Sequence, residues 1–538
     1  MHHADNGRFH DGCCSLDRRG DAAAVLAAGL GAAPAGAQTL TLAVAASPAS
    51  VDPHYHNLGP NNGLAHHIYG RLVEADPAAR PGPGLALSWR AVDATTWEFK
   101  LRPGVKFHDG ADFTAEDVAY TIARIPTVKN SPGSFLLYTR SIIAVEVVDA
   151  LTVRMKTRVS TPLLPIDLTQ VYMLPRGLGP EPATEDFNGL KHANGTGPFR
   201  ITLFRSGDRA ELARNDAFQG KKPHWERVIY RMIPNDSART SALLAGDVDL
   251  IEAVPTQDLE KLRGDRRVAL AEAVSLRVAY LMLDLSRKDG QPFVAGPNGE
   301  VLTTNPFQDV RVRRALSLAI NRQAIVDRVM EGAAVPIGQF LAPSSQTFVP
   351  DLPAPRQDIE AARKLLAEAG YPNGFRMTLH GPNDRYVNDE KVTQAIGQMS
   401  SRAGIQTKVD ALTWPNFIGR ASKQEFSAFF AAWGISSGEA SNPLRALVAS
   451  FDAQKGTGSA NRSRYSNPTL DEVIARATSI TDDAAREQAL IAATRLAMED
   501  VALITLYQQK NIWGMKPNLR YVARADEAAL AEDVTVAP

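Results

Sequence analysis

The chain has 538 residues, of which 44% are hydrophobic and 22% charged, the proportions of a globular protein rather than a disordered or fibrous one. That length exceeds the roughly 250–300 residues at which one hydrophobic core stops growing, so two or three lobes are expected. Lysine plus arginine and aspartate plus glutamate both number 59, and this balance argues against a nucleic-acid or anionic-membrane partner.

The N-terminus has the order of a secretory signal. Arg18 and Arg19 are followed by the alanine-rich apolar run 22–33 and by Ala35-Gly36-Ala37, a small-x-small cleavage site. A flexible N-terminal extension is the alternative. We expect residues 1–37 to be a signal peptide cleaved near Ala37, and the mature protein to reside in the periplasm.

Both cysteines, Cys13 and Cys14, precede that cleavage site. The mature chain would then have no disulfide, no thiolate metal ligand and no cysteine nucleophile. No later run approaches the roughly 18 consecutive apolar residues of a membrane span.

The first half of the mature chain predicts mainly strands and turns. Thr114 is expected to cap a helix over 115–124, with Asp117 in the reciprocal position of a capping box. Asn61 or Asn62 is expected to cap a helix that begins at Gly63. The other elements predicted here are strands at 40–44, 97–101, 105–107, 199–204 and 228–233, a hairpin within 142–159 that turns at Asp149-Ala150, and a helix over 238–245 ended by Gly246.

The second half is predicted to be more helical. Asn321 is placed to cap the second of two consecutive helices. Helices are predicted at 309–320, 321–330, 359–369, 391–403, 469–479 and 482–498, with strands at 405–409 and 503–507. A β-rich half followed by alternating helices and strands favours a mixed α/β, multi-lobe architecture.

Five blocks, in order, resemble the large extracytoplasmic solute-binding proteins of family 5, which serve the peptide, nickel and oligopeptide ABC importers. The longest is Leu101-Arg-Pro-Gly-Val-Lys-Phe-His-Asp-Gly-Ala-Asp-Phe-Thr-Ala-Glu-Asp-Val-Ala-Tyr-Thr-Ile-Ala-Arg124. The others are Gly195-Thr-Gly-Pro-Phe199, Leu244-Ala-Gly-Asp-Val-Asp249, Asp309-Val-Arg-Val-Arg-Arg-Ala-Leu-Ser-Leu-Ala-Ile-Asn321 and Tyr465-Ser-Asn-Pro-Thr-Leu-Asp471. Because these residues set turns, caps and core positions, they indicate the family and leave the ligand open.

The resemblance implies an α/β, two-lobed periplasmic-binding-protein fold of type II, the large dipeptide/oligopeptide-binding class, with a ligand cleft between the lobes. Lobe one would comprise 38–277 plus 507–538, with an inserted subdomain at about 78–195, and lobe two would comprise 278–506. Two crossings between the lobes would form a hinge that closes on the ligand. The resemblance further implies a monomer that delivers its ligand to permease subunits and their ATPases.

Candidate ligand residues follow from the same resemblance. An arginine after the strand near residue 380 faces the cleft in many family members, and Arg385 matches it, with Tyr386 and Asn388 beside it. A guanidinium suits a ligand carboxylate because its planar fork donates two parallel hydrogen bonds. A solvated loop arginine is the alternative.

A second group surrounds Trp433. Peptide-binding relatives often have an aspartate about three residues later that pairs with the ligand ammonium, whereas this chain has Ser436, then Ser437, with Glu439 as the nearest acid. Either Glu439 supplies the anion or the ligand has no ammonium there. Trp414 and Trp433 are expected in the cleft wall, whereas core packing is favoured for Tyr280 and Tyr507.

Histidines His54, His56, His66 and His67 raise the question of nickel, since imidazole is a good nickel ligand. Adjacent residues on a helix point in different directions, and no further cysteine or carboxylate cluster accompanies them, so no metal site and no cofactor is predicted. Uptake of a metal as a small chelate stays open.

The favoured function is import binding of a short peptide or peptide-like solute, without catalysis. Alternatives are a metal-chelate importer component, an exported peptide or amide hydrolase, and a periplasmic chaperone or sensory module. The mature sequence has no nucleophile elbow and no zinc-protease helix, and no histidine near Ser436-Ser437 completes an acid–base relay.

Overall fold

The computed structural model describes residues 38–179, 181–343, 345–435 and 438–537. The predicted signal peptide, residues 1–37, lies outside the described residues. Strands run through the whole described part: β1 Thr39–Val44, β2 Val73–Ala75, β3 Pro81–Pro83, β4 Ala86–Asp93, β5 Thr96–Leu101, β6 Ile142–Asp149, β7 Thr152–Thr157, β8 Phe199–Arg205, β9 Arg209–Arg214, β10 Arg227–Met232, β11 Leu250–Ile251, β12 Ala269–Leu283, β13 Val294–Ala295, β14 Ala334–Pro336, β15 Phe375–Pro382, β16 Ile405–Leu412, β17 Ala428–Gly434, β18 Ile504–Met515, β19 Leu519–Tyr521 and β20 Val534–Val536.

Helices are concentrated after residue 300. The α-helices are α1 Gly59–Ile68, α2 Ala115–Arg124, α3 Leu136–Thr139, α4 Leu164–Asp167, α5 Thr184–Asn188, α6 Asp236–Ala245, α7 Leu259–Arg263, α8 Val310–Ala319, α9 Arg322–Ala324, α10 Ile359–Glu368, α11 Asp389–Arg402, α12 Trp414–Ser422, α13 Ser441–Pro443, α14 Pro468–Ala477 and α15 Asp483–Glu499. Single 3-10 turns lie at Ile125–Thr127, Leu168–Gln170, Arg176–Leu178, Thr256–Asp258, Pro306–Gln308 and Ala531–Asp533, and π-helical turns at Ile325–Val329 and Leu444–Val448. Within the described part, no helix combines the length and apolar character needed to cross a membrane.

One large mixed sheet joins both ends of the described chain. Its strand order is β13-β15-β17-β12-β18-β11-β1-β10-β9-β8, with β14 on β18 and β16 on β15. The long strands β12 and β18 are antiparallel neighbours, and their register shifts between Val274 and Val278. β18 also pairs with β11, and β12 with β17, so these two strands connect the N-terminal part of the sheet to the part built from residues after 278.

Apolar side chains form several separate cores around this sheet. One lies between β1, β8, β10 and the C-terminal segment, and includes Leu42, Tyr230 and Trp513. Two others are built from residues between 278 and 507. A further core lies under the separate four-stranded sheet β4-β5-β7-β6, where Phe99 and Val153 are fully buried.

Several local predictions are confirmed. Thr114 and Asp117 form a reciprocal capping box at the start of α2. Gly246 ends α6 in the left-handed region at φ 84°, a conformation that favours glycine. The bend at Gly195 needs glycine because an added Cβ would lie 2.0 Å from the carbonyl oxygen of Ile68.

Two local predictions are wrong. The segment Val105–Phe107 forms no strand, and β5 instead pairs with β4 and β7. Helix α1 begins at Gly59, so Asn61 and Asn62 lie inside it, and Asn61 accepts a hydrogen bond from the Ala49 amide. Proline at the second helical position lets the helix start earlier than an asparagine cap would indicate.

Candidate functional site

The loop between β15 and α11 contains three of the predicted site residues. The Asp389 carboxylate accepts hydrogen bonds from the backbone amides of Arg385 and Tyr386, each at 2.9 Å. Asn388 adopts φ 54°, a left-handed conformation that asparagine tolerates better than most residues. The loop is therefore held by its own backbone contacts at the start of α11.

Aromatic side chains support this loop. The Tyr386 hydroxyl donates to the Ala432 carbonyl oxygen at 3.0 Å, and its ring meets Trp414 edge-on with centroids 5.9 Å apart. The exposed Arg385 guanidinium lies 5.4 Å from the Trp414 ring centroid and 5.6 Å from that of Tyr386. These distances are within the range of cation–π attraction, so the aromatic pair holds the guanidinium beside the loop.

A cavity of about 510 Å³ lies next to this loop. One wall consists of Tyr386–Asn388, and the opposite wall of Ala45-Ala46 after β1 and 252–257 after β11. Residues 509–513 of β18 and the segment 526–529 complete the lining. Segments far apart in sequence therefore enclose a space within the roughly 300–1,000 Å³ typical of small-ligand sites.

The Asn388 side chain connects the two walls. Its amide nitrogen donates to the Thr256 hydroxyl at 3.0 Å and to the Val329 carbonyl oxygen at 2.9 Å. Asn388 thus lines the cavity and also contributes a hydrogen bond across it.

Neither of the two predicted tryptophans belongs to the described lining of the cavity. The Trp433 indole nitrogen donates to the Asn442 side-chain oxygen at 2.7 Å, and the half-buried ring packs against a neighbouring core. Trp414 stacks on Phe417 at the start of α12. Tyr280 and Tyr507 are core residues, as expected, with 1% and 3% of their surface exposed.

Glu439 lies outside the described lining of this cavity. This residue is 2% exposed, and its carboxylate forms a buried ion pair with Arg486 of α15, Nε to Oε2 at 3.2 Å. The Arg486 guanidinium therefore already balances the charge of this carboxylate. Ser436 and Ser437 lie outside the described residues.

Two of the four histidines, His54 and His67, form hydrogen bonds with buried protein groups. His54 contacts the Tyr172 carbonyl oxygen at 2.8 Å and the Arg124 guanidinium at 2.9 Å. His67 contacts the Gly63 carbonyl oxygen and accepts from the Ala531 amide. Burial lowers the pKa of His54 to about 3 and that of His67 to about 4. Among the described residues, no group of three or more histidine, cysteine or acidic side chains is arranged to hold a metal ion.

Sequence reasoning missed the polar residues of the opposite wall. Glu252 and Tyr230 line the cavity together with Arg239. The signal available in the sequence was an acidic residue placed directly after the apolar strand Leu250–Ile251 and before Pro255. An acidic residue in this position is as typical of a strand end exposed to solvent as of a ligand-binding site. Only the folded structure distinguishes these two possibilities.

A mixed α/β fold with a small-ligand cavity between distant segments is the architecture that a solute-binding protein needs. The family model for bacterial extracellular solute-binding proteins, family 5, matches residues 80–455. The chain belongs to this family, whose members are binding proteins, and the resemblance found in the sequence is confirmed.

Individual relatives cover nearly the same extent. Heme-binding protein A of Haemophilus influenzae is 27% identical over 457 residues, covering 78% of each chain. The dipeptide-binding protein of Escherichia coli is 26% identical over 504 residues, covering 88% of this chain and 89% of its own. The solved structure of HbpA2 from Haemophilus parasuis superposes with a TM-score of 0.79 at 23% identity, covering 93% of this chain and 99% of that one. The predicted two-lobed periplasmic-binding-protein fold is thereby confirmed.

Proposed function

We propose that the protein is the periplasmic substrate-binding component of an ABC importer, and that it binds a short peptide or peptide-like solute without catalysing a reaction. The observation that carries this proposal is the cavity of about 510 Å³ between Tyr386–Asn388 and 252–257. Its volume suits a di- or tripeptide, and the E. coli relative is named for a dipeptide. The protein would act as a monomer and hand its ligand to permease subunits coupled to ATPases.

We further propose lobe one as 38–277 plus 507–538 and lobe two as 278–506, with the subdomain inserted at about 78–195. The register shift between β12 and β18 at 274–278 supports a crossing there, because an irregular ladder is a natural place for bending. The separate apolar cores on either side of residues 278 and 507 support the same division. The Asn388–Thr256 hydrogen bond would then connect the two lobes.

Arg385 remains a candidate for holding a ligand carboxylate. It is exposed beside the cavity-lining Tyr386, and it lies over two aromatic rings that limit its orientations.

The test is titration calorimetry of the mature protein with synthetic di- and tripeptide pools and, separately, with heme. We expect saturable one-to-one binding of a peptide pool without hydrolysis. Ala46→Trp should abolish it, since Ala46 is an exposed cavity-lining residue and an indole there would occupy the space. Ala49→Trp, an exposed position outside this cavity, is the matched control and should bind normally. Peptide binding that survives Ala46→Trp, or binding of heme alone, would contradict the proposal.

A further inference from the structure

The cavity wall opposite the Tyr386 loop contains a carboxylate that its surroundings leave without a cation. Three other acidic side chains in the lining are paired: Asp236 with Arg239 at 2.7 Å, Asp526 with Arg524 at 2.8 Å, and Glu527 with Arg277 at 3.1 Å. Glu252 forms no ion pair with any described residue. Its Oε1 accepts one hydrogen bond, from the Ala45 amide at 2.9 Å, and no described residue donates to Oε2.

The cation near Glu252 is Arg239, whose guanidinium forms hydrogen bonds with other groups. Arg239 is 1% exposed, and its guanidinium donates to Asp236 and to the carbonyl oxygens of Ile233, Pro234, Glu252 and Ala253. These contacts fix Arg239 as a support for the backbone around Glu252. The Arg239 charge therefore lies near the Glu252 carboxylate, but the guanidinium forms no hydrogen bond with that carboxylate.

A second polar group lies on the same wall. Tyr230 is 1% exposed and lines the cavity, yet its hydroxyl forms no hydrogen bond with any described residue. Strands β10 and β11 both pair with β1, one on each side, so Tyr230 and Glu252 lie in the same part of the sheet and line the same cavity. Burial and then the charge of Glu252 hold the pKa of the phenol well above its usual range. The ring is buried whereas the residue lines the cavity, so the hydroxyl is available to a group of the bound solute.

The charge of Glu252 indicates what that group is. Burial, partly opposed by the Ala45 hydrogen bond and Arg239, raises the pKa of Glu252 to about 7. A carboxylate in such surroundings is stabilised by a cation that also donates hydrogen bonds. An ammonium donates three, enough for Oε2 of Glu252 and the Tyr230 oxygen.

We propose that Glu252 and Tyr230 form a subsite for a primary ammonium group of the solute, opposite the Tyr386 loop. This inference rests on the proposed binding function, since it assigns one chemical group of the ligand to one wall of that cavity. It makes an amine, rather than a neutral or purely acidic solute, the required feature of the cargo.

The test uses one library of di- and tripeptides built from alanine, leucine, phenylalanine, glutamate and lysine, offered unmodified and after complete amine acetylation. Captured peptides are counted by mass spectrometry on the wild type, Glu252→Gln, Tyr230→Phe and Glu260→Gln. Glu260 is an exposed acid of α7 outside the cavity, so Glu260→Gln is the matched control.

We expect the wild type and Glu260→Gln to capture unmodified peptides at least about tenfold better than acetylated ones. Glu252→Gln should lose that preference, and Tyr230→Phe should reduce it. Equal capture of both libraries by the wild type, or an unchanged preference in Glu252→Gln, would overturn the ammonium subsite while leaving peptide binding intact. Capture of neither library by any form would overturn the proposed function, and the subsite with it.

Discussion

The hydrogen bond between Asn388 and Thr256 provides a specific prediction about closure of the cavity. This bond joins the two cavity walls, with 3.0 Å between the Asn388 side-chain nitrogen and the Thr256 hydroxyl oxygen. Because Thr256 is only 8% exposed, solvent does not readily replace the bond. Thr256→Val keeps the shape of the side chain and removes the acceptor. Asn388→Gly removes the donor without strain, because glycine adopts the φ of 54° found there.

The size of the effect follows from the bond itself. A neutral intramolecular hydrogen bond contributes about 0.5–1.5 kcal/mol net. Losing the Asn388–Thr256 bond should therefore destabilise, by that amount, the conformation in which the two cavity walls are joined. If the solute binds that state, Thr256→Val should weaken affinity by about two- to thirteenfold, since RT is about 0.6 kcal/mol. Asn388→Gly should weaken it further, because the contact with the Val329 carbonyl oxygen is lost as well.

The assay is titration calorimetry of the two single variants and the double variant with a peptide that the wild type binds. Thr202→Val, at an exposed position of β8, is the control and should leave affinity unchanged. The double-mutant cycle should give a coupling of about 0.5–1.5 kcal/mol. A coupling below about 0.3 kcal/mol would refute the role of this bond in holding the walls together.

Three further predictions concern charge. Arg385→Ala should weaken binding of a peptide with a free carboxylate by about 1.5–3 kcal/mol more than binding of the same peptide amidated, as measured by calorimetry. Equal losses for the two peptides would show that Arg385 does not hold the ligand carboxylate. Arg124→Met should lower the free energy of urea unfolding by about 3–5 kcal/mol, because the fully buried Asp52, which pairs with Arg124 at 2.7 Å, would be left without its cation. A loss below about 1 kcal/mol would contradict this. Burial raises the pKa of Glu252 to about 7. The ε-ammonium of an Nα-acetylated lysine peptide stays charged from pH 6 to pH 8 and binds the ionised carboxylate, so affinity for that peptide should fall about tenfold from pH 8 to pH 6 as Glu252 is protonated. Glu252→Gln should abolish that dependence, and an unchanged slope in the variant would assign it to another group.

Local chemistry made much of the fold predictable. The Thr114–Asp117 capping box and the stop at Gly246 depend only on neighbouring residues, and both are as the sequence indicates. Strand β18 was predicted only in part, because the polar run Gln508–Asn511 breaks the apolar pattern. Backbone pairing with β12, more than 200 residues away, holds this polar run in the strand. A local sequence pattern contains no information about that pairing.

The candidate site was less predictable. Tyr386 and Asn388 do line the cavity, and the resemblance located their loop. Glu439 has the right charge near the expected position, but its partner Arg486 lies 47 residues away on helix α15. Glu252 occupies an ordinary strand end, and only the folded chain brings it opposite the Tyr386 loop.

We infer that a peptide-like solute with an amine occupies the cavity between these two walls. Native mass spectrometry of the protein isolated from its own cells, as wild type and as Ala46→Trp, is the decisive measurement. We expect one peptide-like molecule per wild-type chain and none on Ala46→Trp. A heme or metal chelate on the wild type, or the same molecule retained by Ala46→Trp, would contradict the account.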